Sequence, residues 1–316
     1  MRPMPGMSCV LISRRLPALL ALALLVAVSL VSLQLSLSAE ARAAVRRPTG
    51  SPDWKHIYQV IANLNHRLPK VPVVYLVGGS AARECTISDS SWAAEVRHIG
   101  GPRLRTVELG SNGQNYYQDI DIVHRLPSVP SIVLIGIGLG RYVPQPMRPA
   151  TRGVEQSTAG PGERPGARTS SSSYQQHHYS VRHILSDPKK RQFVRWWLAD
   201  RYPAFKLNFA GNTAQLELLI QACQVRGLHP VLLEMPLNLP IVGRTLDRPR
   251  KMYTDSCRAL AKKYGIPKID FLKRVHLVSG DFFDMSHLVE PGRVKWQLRL
   301  SQTVVSLLKR YGIPAP

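Results

Sequence analysis

The stretch Val71-Pro72-Val73-Val74-Tyr75-Leu76-Val77-Gly78-Gly79-Ser80 decides the fold. It begins as a short continuous apolar run and ends in two glycines and a serine. A strand buried on both faces of a parallel sheet has this composition, whereas a strand with one wet face alternates apolar and polar residues. We therefore predict a buried parallel strand over residues 71–77, followed by a tight turn into a helix.

Outward from this strand, helical and strand patterns alternate along the chain. The predicted helices cover residues 53–67, 81–99 (with a break near 88–89), 114–124, 212–226, 250–264 and 294–310, and the other predicted strands cover 103–109, 131–137, 230–235 and 268–271. Such alternation implies right-handed crossovers and a sheet covered on both faces. We predict an α/β fold, a three-layer α/β/α sandwich around a five-stranded doubly wound parallel sheet.

Composition narrows the class of protein. Of the 316 residues, 44% are hydrophobic, which excludes a wholly disordered chain. The sequence has no collagen or heptad period, and this excludes a fibrous protein. The 42 Lys and Arg residues against 20 Asp and Glu give 42 − 20 = +22. This charge indicates an anionic environment such as phospholipid headgroups or an acidic wall polymer. The alternative is that the arginines are simply spread over a solvated surface. No nucleic-acid-binding motif is present, and no nucleic-acid partner is expected.

The first fifty residues are predicted to be a signal or membrane-anchor segment. Residues 16–39 form an uncharged, Leu-rich run of about 24 residues, which is long enough to span a bilayer. Ala41-Arg42-Ala43 is also typical of a signal-peptidase site. Both outcomes stay open: a single-pass anchor in the cell membrane with the domain outside, or secretion after cleavage.

Residues 51–316 are predicted to form one domain with a low-complexity insertion at about 147–179. The insertion contains Gly-Pro-Gly, Pro-Gly and four consecutive serines but almost no large apolar residues. Loops this long are unusual inside a domain, and they are either disordered or functional.

The residues that can carry chemistry follow the predicted strands, because ligands of such sheets bind beyond the carboxyl ends of the strands. Ser80 follows the first strand at a Gly-Gly turn, where a helix N-terminus favours developing negative charge. Asp284 and His287, three residues apart, precede the last helix. At this spacing the carboxylate can orient the imidazole, which can then take a proton from a serine hydroxyl. Taken singly, a capping serine and a surface His beside an Asp explain these residues equally well.

The ordered combination resembles the SGNH (GDSL-type) hydrolase superfamily from about Pro72 to the C-terminus. Ser80 resembles the block-one nucleophile, Gly113 the block-two glycine whose N–H serves the oxyanion hole, and Asp284 with His287 the fifth block. The resemblance implies a flavodoxin-like sandwich and ester hydrolysis or acyl transfer through an acyl-serine, with Ser80 N–H as a second oxyanion donor and without a metal or cofactor.

One block departs from the family pattern. The third block is Gly-x-Asn, but the matching stretch here is Gly138-Leu139-Gly140, which has no amide side chain. Losing one oxyanion donor typically costs about 2.7–4 kcal/mol of transition-state stabilisation. Asn112, Asn115 and Arg141 are the candidate replacements, and Arg141 is alternatively a solvated residue at the start of the insertion.

Other candidate residues have simpler explanations. Cys85, Cys223 and Cys257 have no metal-site spacing and are expected to be buried core residues. His177, His178 and His183 lie in or near the insertion without partner ligands and are expected to be solvated. The aromatic residues Phe193, Trp196, Trp197 and Tyr202, set among Lys and Arg, are expected to cover the domain's own core in preference to forming an interfacial helix.

Three functions remain open from the sequence. The first is an exported serine hydrolase acting on acyl esters of a carbohydrate, wall polymer or lipid. The second is an O-acyltransferase that uses the same residues on an extracytoplasmic polymer. The third is a non-catalytic polymer-binding module that keeps the fold.

Overall fold

The computed structural model describes residues 52–146 and 179–313. The N-terminal segment 1–50 and nearly all of the insertion therefore lie outside the described residues, and so do Cys9, His177 and His178. The described residues belong to a single compact unit, Arg47–Met147 with Pro161–Pro316.

The sheet and its helices follow one another in an almost regular alternation. The strands are β1 Val73–Gly78, β2 Arg105–Gly110, β3 Ser131–Ile137, β4 His229–Glu234 and β5 Lys268–Ile269. The helices are α1 Pro52–His66, α2 Ser80–Arg83, α3 Asp89–His98, α4 Tyr116–Arg125, α5 Asp187–Trp196, α6 Tyr202–Val225, α7 Leu239–Val242, α8 Asp247–Tyr264 and α9 Glu290–Arg310. A π-helical turn, Trp197–Arg201, joins α5 to α6.

All strand pairs are parallel, and the strand order is β2-β1-β3-β4-β5. This is the flavodoxin-like order, in which the direction of winding reverses between β1 and β3. The predicted five-stranded doubly wound parallel sheet is confirmed. The reversal opens a crevice at the carboxyl end of β1, directly where the chain reaches Ser80.

Every residue of β1 and β3 is buried. Because successive side chains of a strand point to opposite faces, both faces of the sheet must be covered. The helices that cover it form two groups: α3 packs against α9, whereas α6 packs against α4 and α8. The central part of the core thus lies on both sides of β1 and β3.

The predicted helices omit α5 and place the start of α6 near residue 212, whereas α6 begins at Tyr202. Its first half has polar residues at core-facing positions, and these interrupt the apolar periodicity from which a helix is predicted. Asn208 and Asn212 both point inward, where their amide groups donate to the carbonyls of Val143 and Pro144 at 2.7 and 2.8 Å. These side chains hold the segment after β3 instead of filling the core.

Two further findings concern the membrane and the cysteines. Within residues 52–146 and 179–313, no helix is both long and apolar enough to cross a bilayer. Cys85, Cys223 and Cys257 are buried free thiols, as predicted for core residues.

A pair of carboxyl groups lies buried between α3 and the edge strand β2. Asp89 accepts a 2.8 Å hydrogen bond from the N–H of Glu108, whose own carboxyl oxygen accepts from Thr86 Oγ1 at 2.7 Å. Burial raises the pKa of Asp89 to about 6 despite the hydrogen bond from Glu108. Burial, and next the negative charge of Asp89, raise the pKa of Glu108 as well. Ionising these two carboxyl groups in the folded protein therefore costs free energy of folding.

We expect Asp89→Asn to stabilise the protein at pH 8 but hardly at pH 4. The pKa of Asp89 is 3.8 in the unfolded chain and about 6 in the folded protein, so the folded protein holds this proton to higher pH. The contribution of Asp89 to the unfolding free energy is therefore fully present below pH 3.8 and is lost as the pH rises through about 6. An amide keeps the acceptor oxygen and stays neutral, so the gain in unfolding free energy should reach about 1–2 kcal/mol at pH 8 after allowance for partial exposure. Thermal unfolding of both proteins at the two pH values measures it. The same difference at pH 4 and pH 8 would show that folding does not raise the pKa of Asp89.

Candidate active site

Ser80 occupies the first position of α2, directly after β1. Strands β1 and β2 end side by side at Gly78 and Gly110. A Cβ atom on Gly110 would lie 2.8 Å from the backbone nitrogen of Arg83, and one on Gly78 would lie 2.8 Å from the Cβ of Ala82. The two glycines thus allow α2 to sit against the ends of both strands. This close approach presents Ser80 at the carboxyl edge of the sheet.

Asp284 and His287 lie on a closed loop between β5 and α9. Phe282 and Leu288 form an antiparallel bridge at its base, and the N–H of Phe283 donates to the carbonyl of His287 at 2.8 Å. The two functional side chains therefore project from a loop whose ends are hydrogen-bonded to each other.

The three side chains form a continuous hydrogen-bonded chain. Ser80 Oγ lies 2.8 Å from His287 Nε2, and His287 Nδ1 lies 2.8 and 2.9 Å from the two carboxylate oxygens of Asp284. An ionised carboxylate only accepts, so Nδ1 carries the proton and Nε2 is left to accept from the serine hydroxyl. This is the arrangement of a nucleophile, a general base and a group that orients the base.

Asp284 is held in its ionised form. Burial alone would raise its pKa, but the hydrogen bond and charge of His287, together with the backbone N–H groups of Ser286 and His287, outweigh burial and lower that pKa. Oδ1 accepts from these two N–H groups at 2.9 and 3.0 Å. The carboxylate that orients the imidazole thus stays charged down to a pH below its ordinary value of 3.8.

Two backbone N–H groups are available beside the serine. Within the described part of the chain, neither the N–H of Ser80 nor that of Gly113 donates a hydrogen bond. Both residues line the same cleft, and Gly113 adopts a φ of 70°, which glycine accommodates readily. Free N–H groups at such a place suit an oxyanion.

Arg141 does not point its charge at this place, and the prediction that it replaces the missing amide is not supported by its contacts. Its guanidinium is buried, where it donates to the carboxylate of Asp119 and to the carbonyl of Gln114. Its Cζ lies 4.3 Å from the centre of the Tyr116 ring. The alternative of a solvated residue is wrong as well. Asp119, at the start of α4, provides the buried partner that draws the arginine inward.

The two asparagine candidates have different surroundings. Asn115 caps α4: its side-chain oxygen accepts from the N–H of Gln118 at 2.9 Å, and it does not line the cleft. Asn112 is exposed and lines the cleft beside Gly113, while its backbone N–H donates to Asp53 at 3.2 Å. Asn112 and Arg141 both line the cleft, but the guanidinium of Arg141 is already bonded to Asp119 and to the carbonyl of Gln114. Asn112 is therefore the side chain that we test as an oxyanion donor.

The cleft that contains these groups has a volume of about 890 Å³. Its walls beyond the serine are mainly apolar and come from the segments after β3 and β4 and from α5, the π-helical turn and the Asp284 loop. They include Leu139, Val143, Phe193, Trp196, Trp197, Met235, Leu237 and Met285.

The aromatic residues of α5 and the π-helical turn are divided between core and cleft. Trp197 is buried and packs at 6.1 Å against Tyr202, as predicted for core residues. Phe193 and Trp196 are each 42% exposed and line the cleft, which corrects the prediction for these two. Arg201 lies 5.0 Å over the Trp196 ring and lines the cleft as well.

One residue that supports the Asp284 loop, Asn238, was not predicted from the sequence. Buried Asn238 donates to the carbonyl of Asp284 at 3.1 Å, and its N–H donates to that of Met285 at 2.9 Å. Only the fold brings it to this loop.

His183 is exposed and contacts Ser180 at 3.0 Å. No group of three or more His, Cys, Asp or Glu residues able to hold a metal occurs in the two described segments.

Comparison with known proteins found similar structures but no matching sequences. No family model and no curated protein matches the chain. A lipase/acylhydrolase from Enterococcus faecalis superposes with a TM-score of 0.42 at 12% identity, covering 76% of this chain and 97% of its own. A lipolytic protein of the G-D-S-L family from Veillonella parvula gives 0.42 at 11%, covering 73% and 97%. An acetylxylan esterase from Geobacillus stearothermophilus gives 0.43 at 10%, covering 78% and 95%. At these values the neighbours assign no activity to this chain.

We expect Asn112→Ala to lower kcat for an ester substrate about 10-fold or more while KM changes little. A donor that bonds mainly to the developing oxyanion stabilises the transition state more than the bound substrate, and its exposure reduces the effect below that of a buried donor. Asn115→Ala is the matched control. It should leave kcat unchanged and lower stability by about 0.5–2 kcal/mol through loss of the helix cap. An unchanged kcat in Asn112→Ala would leave the oxyanion to the two backbone N–H groups.

Proposed function

We propose that this chain is a serine hydrolase of the SGNH type that cleaves acyl esters through an acyl-serine intermediate. The observation that carries the proposal is the unbroken chain of hydrogen bonds from Ser80 through His287 to Asp284, each at 2.8 Å. A capping serine and a surface His–Asp pair, the simpler explanations of these residues, do not require the two elements to meet. The free N–H groups of Ser80 and Gly113 add a place for the oxyanion.

The geometry suggests the following steps. Ser80 Oγ attacks the ester carbonyl carbon while its proton passes to His287 Nε2, and the oxyanion forms beside the two N–H groups. The tetrahedral intermediate collapses, His287 returns the proton to the departing alkoxide, and the acyl group remains on Oγ. Water then attacks the acyl-serine by the same route, releasing the acid and restoring Ser80. Asp284 stays ionised throughout and stabilises the imidazolium.

Exposure at the site favours water over another hydroxyl as the acceptor. Asn112 and Gly113 are exposed, and the side chain of His287 keeps 18% of its surface accessible. Among the described residues, none has to be displaced for water to reach an acyl group on Ser80. Transfer to a polymer hydroxyl requires the acceptor to compete with this water, so we propose hydrolysis as the main reaction.

The walls of the cleft suggest the kind of ester. A mainly apolar space of about 890 Å³ is larger than an acetyl group needs, and it can hold a bulky apolar or ring-bearing part of the substrate. Phe193, Trp196 and Arg201 at the cleft offer aromatic and cationic contacts. These features support an acyl ester of a lipid or of an anionic wall polymer or polysaccharide.

We expect Ser80→Ala and His287→Ala each to lower turnover of a short-chain aryl ester by about 10⁴-fold or more, without a change in thermal unfolding. Residues that act as one unit are not additive, so the double variant should be no slower than either single one. Labelling of wild type by a fluorophosphonate at Ser80 tests the nucleophile independently of the substrate. Ser306→Ala, an exposed serine on α9, is the control. A wild-type protein that neither turns over esters nor labels would support a non-catalytic binding module instead.

We propose further that the domain works outside the cytoplasm, because the uncharged run of residues 16–39 is long enough to export or anchor it. Protease added to intact cells that make the full chain should then degrade the domain, with a cytoplasmic protein as the control. Protection of the domain until the cells are lysed would contradict export.

A further inference from the structure

A buried ion pair joins the two parts of the chain that carry the nucleophile and the base. Glu84 lies four residues after Ser80 and is fully buried, and Arg293 lies in the first turn of α9, six residues after His287. Arg293 donates to the Glu84 carboxylate at 3.3 Å, and the other Glu84 oxygen accepts from Arg83 at 3.1 Å. Buried charges that lose their partner are strongly destabilised, so this pair keeps its two elements together.

The same ion pair binds the backbone of Tyr179 from both sides. The N–H of Tyr179 donates to Glu84 Oε2 at 3.3 Å, and Arg293 donates to the carbonyl of Tyr179 at 3.1 Å. One residue thus has both of its backbone polar groups held by a carboxylate and a guanidinium. Its position is set by the pair that spans the two halves of the site.

The ring of Tyr179 reaches the catalytic imidazole. It stacks on Phe283 with a centroid distance of 4.0 Å and an angle of 12° between the ring planes, and its centroid lies 5.6 Å from that of His287 at 59°. Phe283 belongs to the same loop as His287, and its N–H holds the His287 carbonyl. Tyr179 therefore packs against both the loop and the imidazole that the loop presents.

The imidazole needs such a contact. Its hydrogen bonds to Ser80 and Asp284 hold opposite sides of the ring, but they leave it free to tilt about the line that joins Nε2 and Nδ1. Such a tilt leaves Nε2 in place but turns its lone pair, which lies in the ring plane and off that line, away from the serine hydroxyl, and small misalignments of a catalytic group are costly. A ring packed at the side of the imidazole opposes the tilt and keeps water from that side.

We propose that Tyr179, held by Glu84 and Arg293, is a positioning residue that keeps His287 aligned with Ser80. The inference rests on the proposed hydrolase function, because alignment matters only if Ser80 is the nucleophile. It assigns a role in the site to an ion pair and a tyrosine that take no part in the chemical steps. The phenol ring carries this role, and its hydroxyl does not.

Tyr179→Ala and Tyr179→Phe test the inference. We expect Tyr179→Ala to lower kcat for an aryl ester about 10- to 100-fold with KM within about 2-fold, because alignment affects the reaction more than binding. Tyr179→Phe keeps the ring and should restore wild-type kcat. Val181→Ala, an exposed side chain two residues further on, is the control.

A second measurement separates this inference from the proposed function. In a crystal structure of Tyr179→Ala, the plane of the imidazole should be turned relative to Ser80 Oγ or the imidazole should occupy more than one orientation. An unchanged imidazole together with an unchanged kcat would overturn the positioning role. A wild-type protein that neither labels with a fluorophosphonate nor hydrolyses esters would overturn the hydrolase, whatever the imidazole does in the variant.

Arg293→Lys provides a test of the ion pair that keeps the charge. Lysine can still meet Glu84, but a single ammonium lacks the fork that reaches Glu84 and the Tyr179 carbonyl together. We expect it to fold and to show a smaller loss of kcat than Tyr179→Ala, with KM again little changed. Full activity in folded Arg293→Lys, with Tyr179 still in place, would limit the positioning role to Tyr179. Full activity with Tyr179 displaced would contradict it altogether.

Discussion

The hydrogen bond between Ser80 Oγ and His287 Nε2 links residues that are 207 positions apart in the chain. It can form only if the end of β1 and the loop before α9 meet at the same edge of the sheet. The parallel order β2-β1-β3-β4-β5 brings them there, because all strands end at one edge and the winding reverses beside β1. The glycines that end β1 and β2 serve the same contact, since a larger residue would push α2 away from the strand ends.

Local sequence patterns were sufficient for the sheet and for three side chains of the site. The apolar runs of β1 and β3 are buried on both faces, and Ser80, Asp284 and His287 meet as their places after β1 and before α9 predicted. The patterns failed where a polar residue serves a distant partner. Asn208 interrupts the apolar pattern in the first half of α6, because its amide faces inward and donates to the carbonyl of Val143, 65 residues away.

Arg141 shows the same limit within the site. Its place beside the third block suggested a donor to the oxyanion, and neighbouring residues gave no sign of another partner. The fold brings Asp119 to its guanidinium from α4, and an ion pair buried from water outweighs exposure to a substrate. Tyr179 is the opposite case, since nothing in its local sequence suggested a role. Glu84, Arg293 and Phe283 reach it from three separate parts of the chain.

Two arginines near the site are held in buried ion pairs. Arg293 is neutralised by Glu84, and Arg141 by Asp119. In the proposed hydrolysis the N–H dipoles of Ser80 and Gly113 would stabilise the oxyanion; such dipoles are aligned before the reaction and need no reorganisation when charge develops. Such dipoles also attract an ester carbonyl without binding anionic products as tightly as an arginine would. In the proposed function, the net charge of +22 can attract an anionic substrate or surface to the chain.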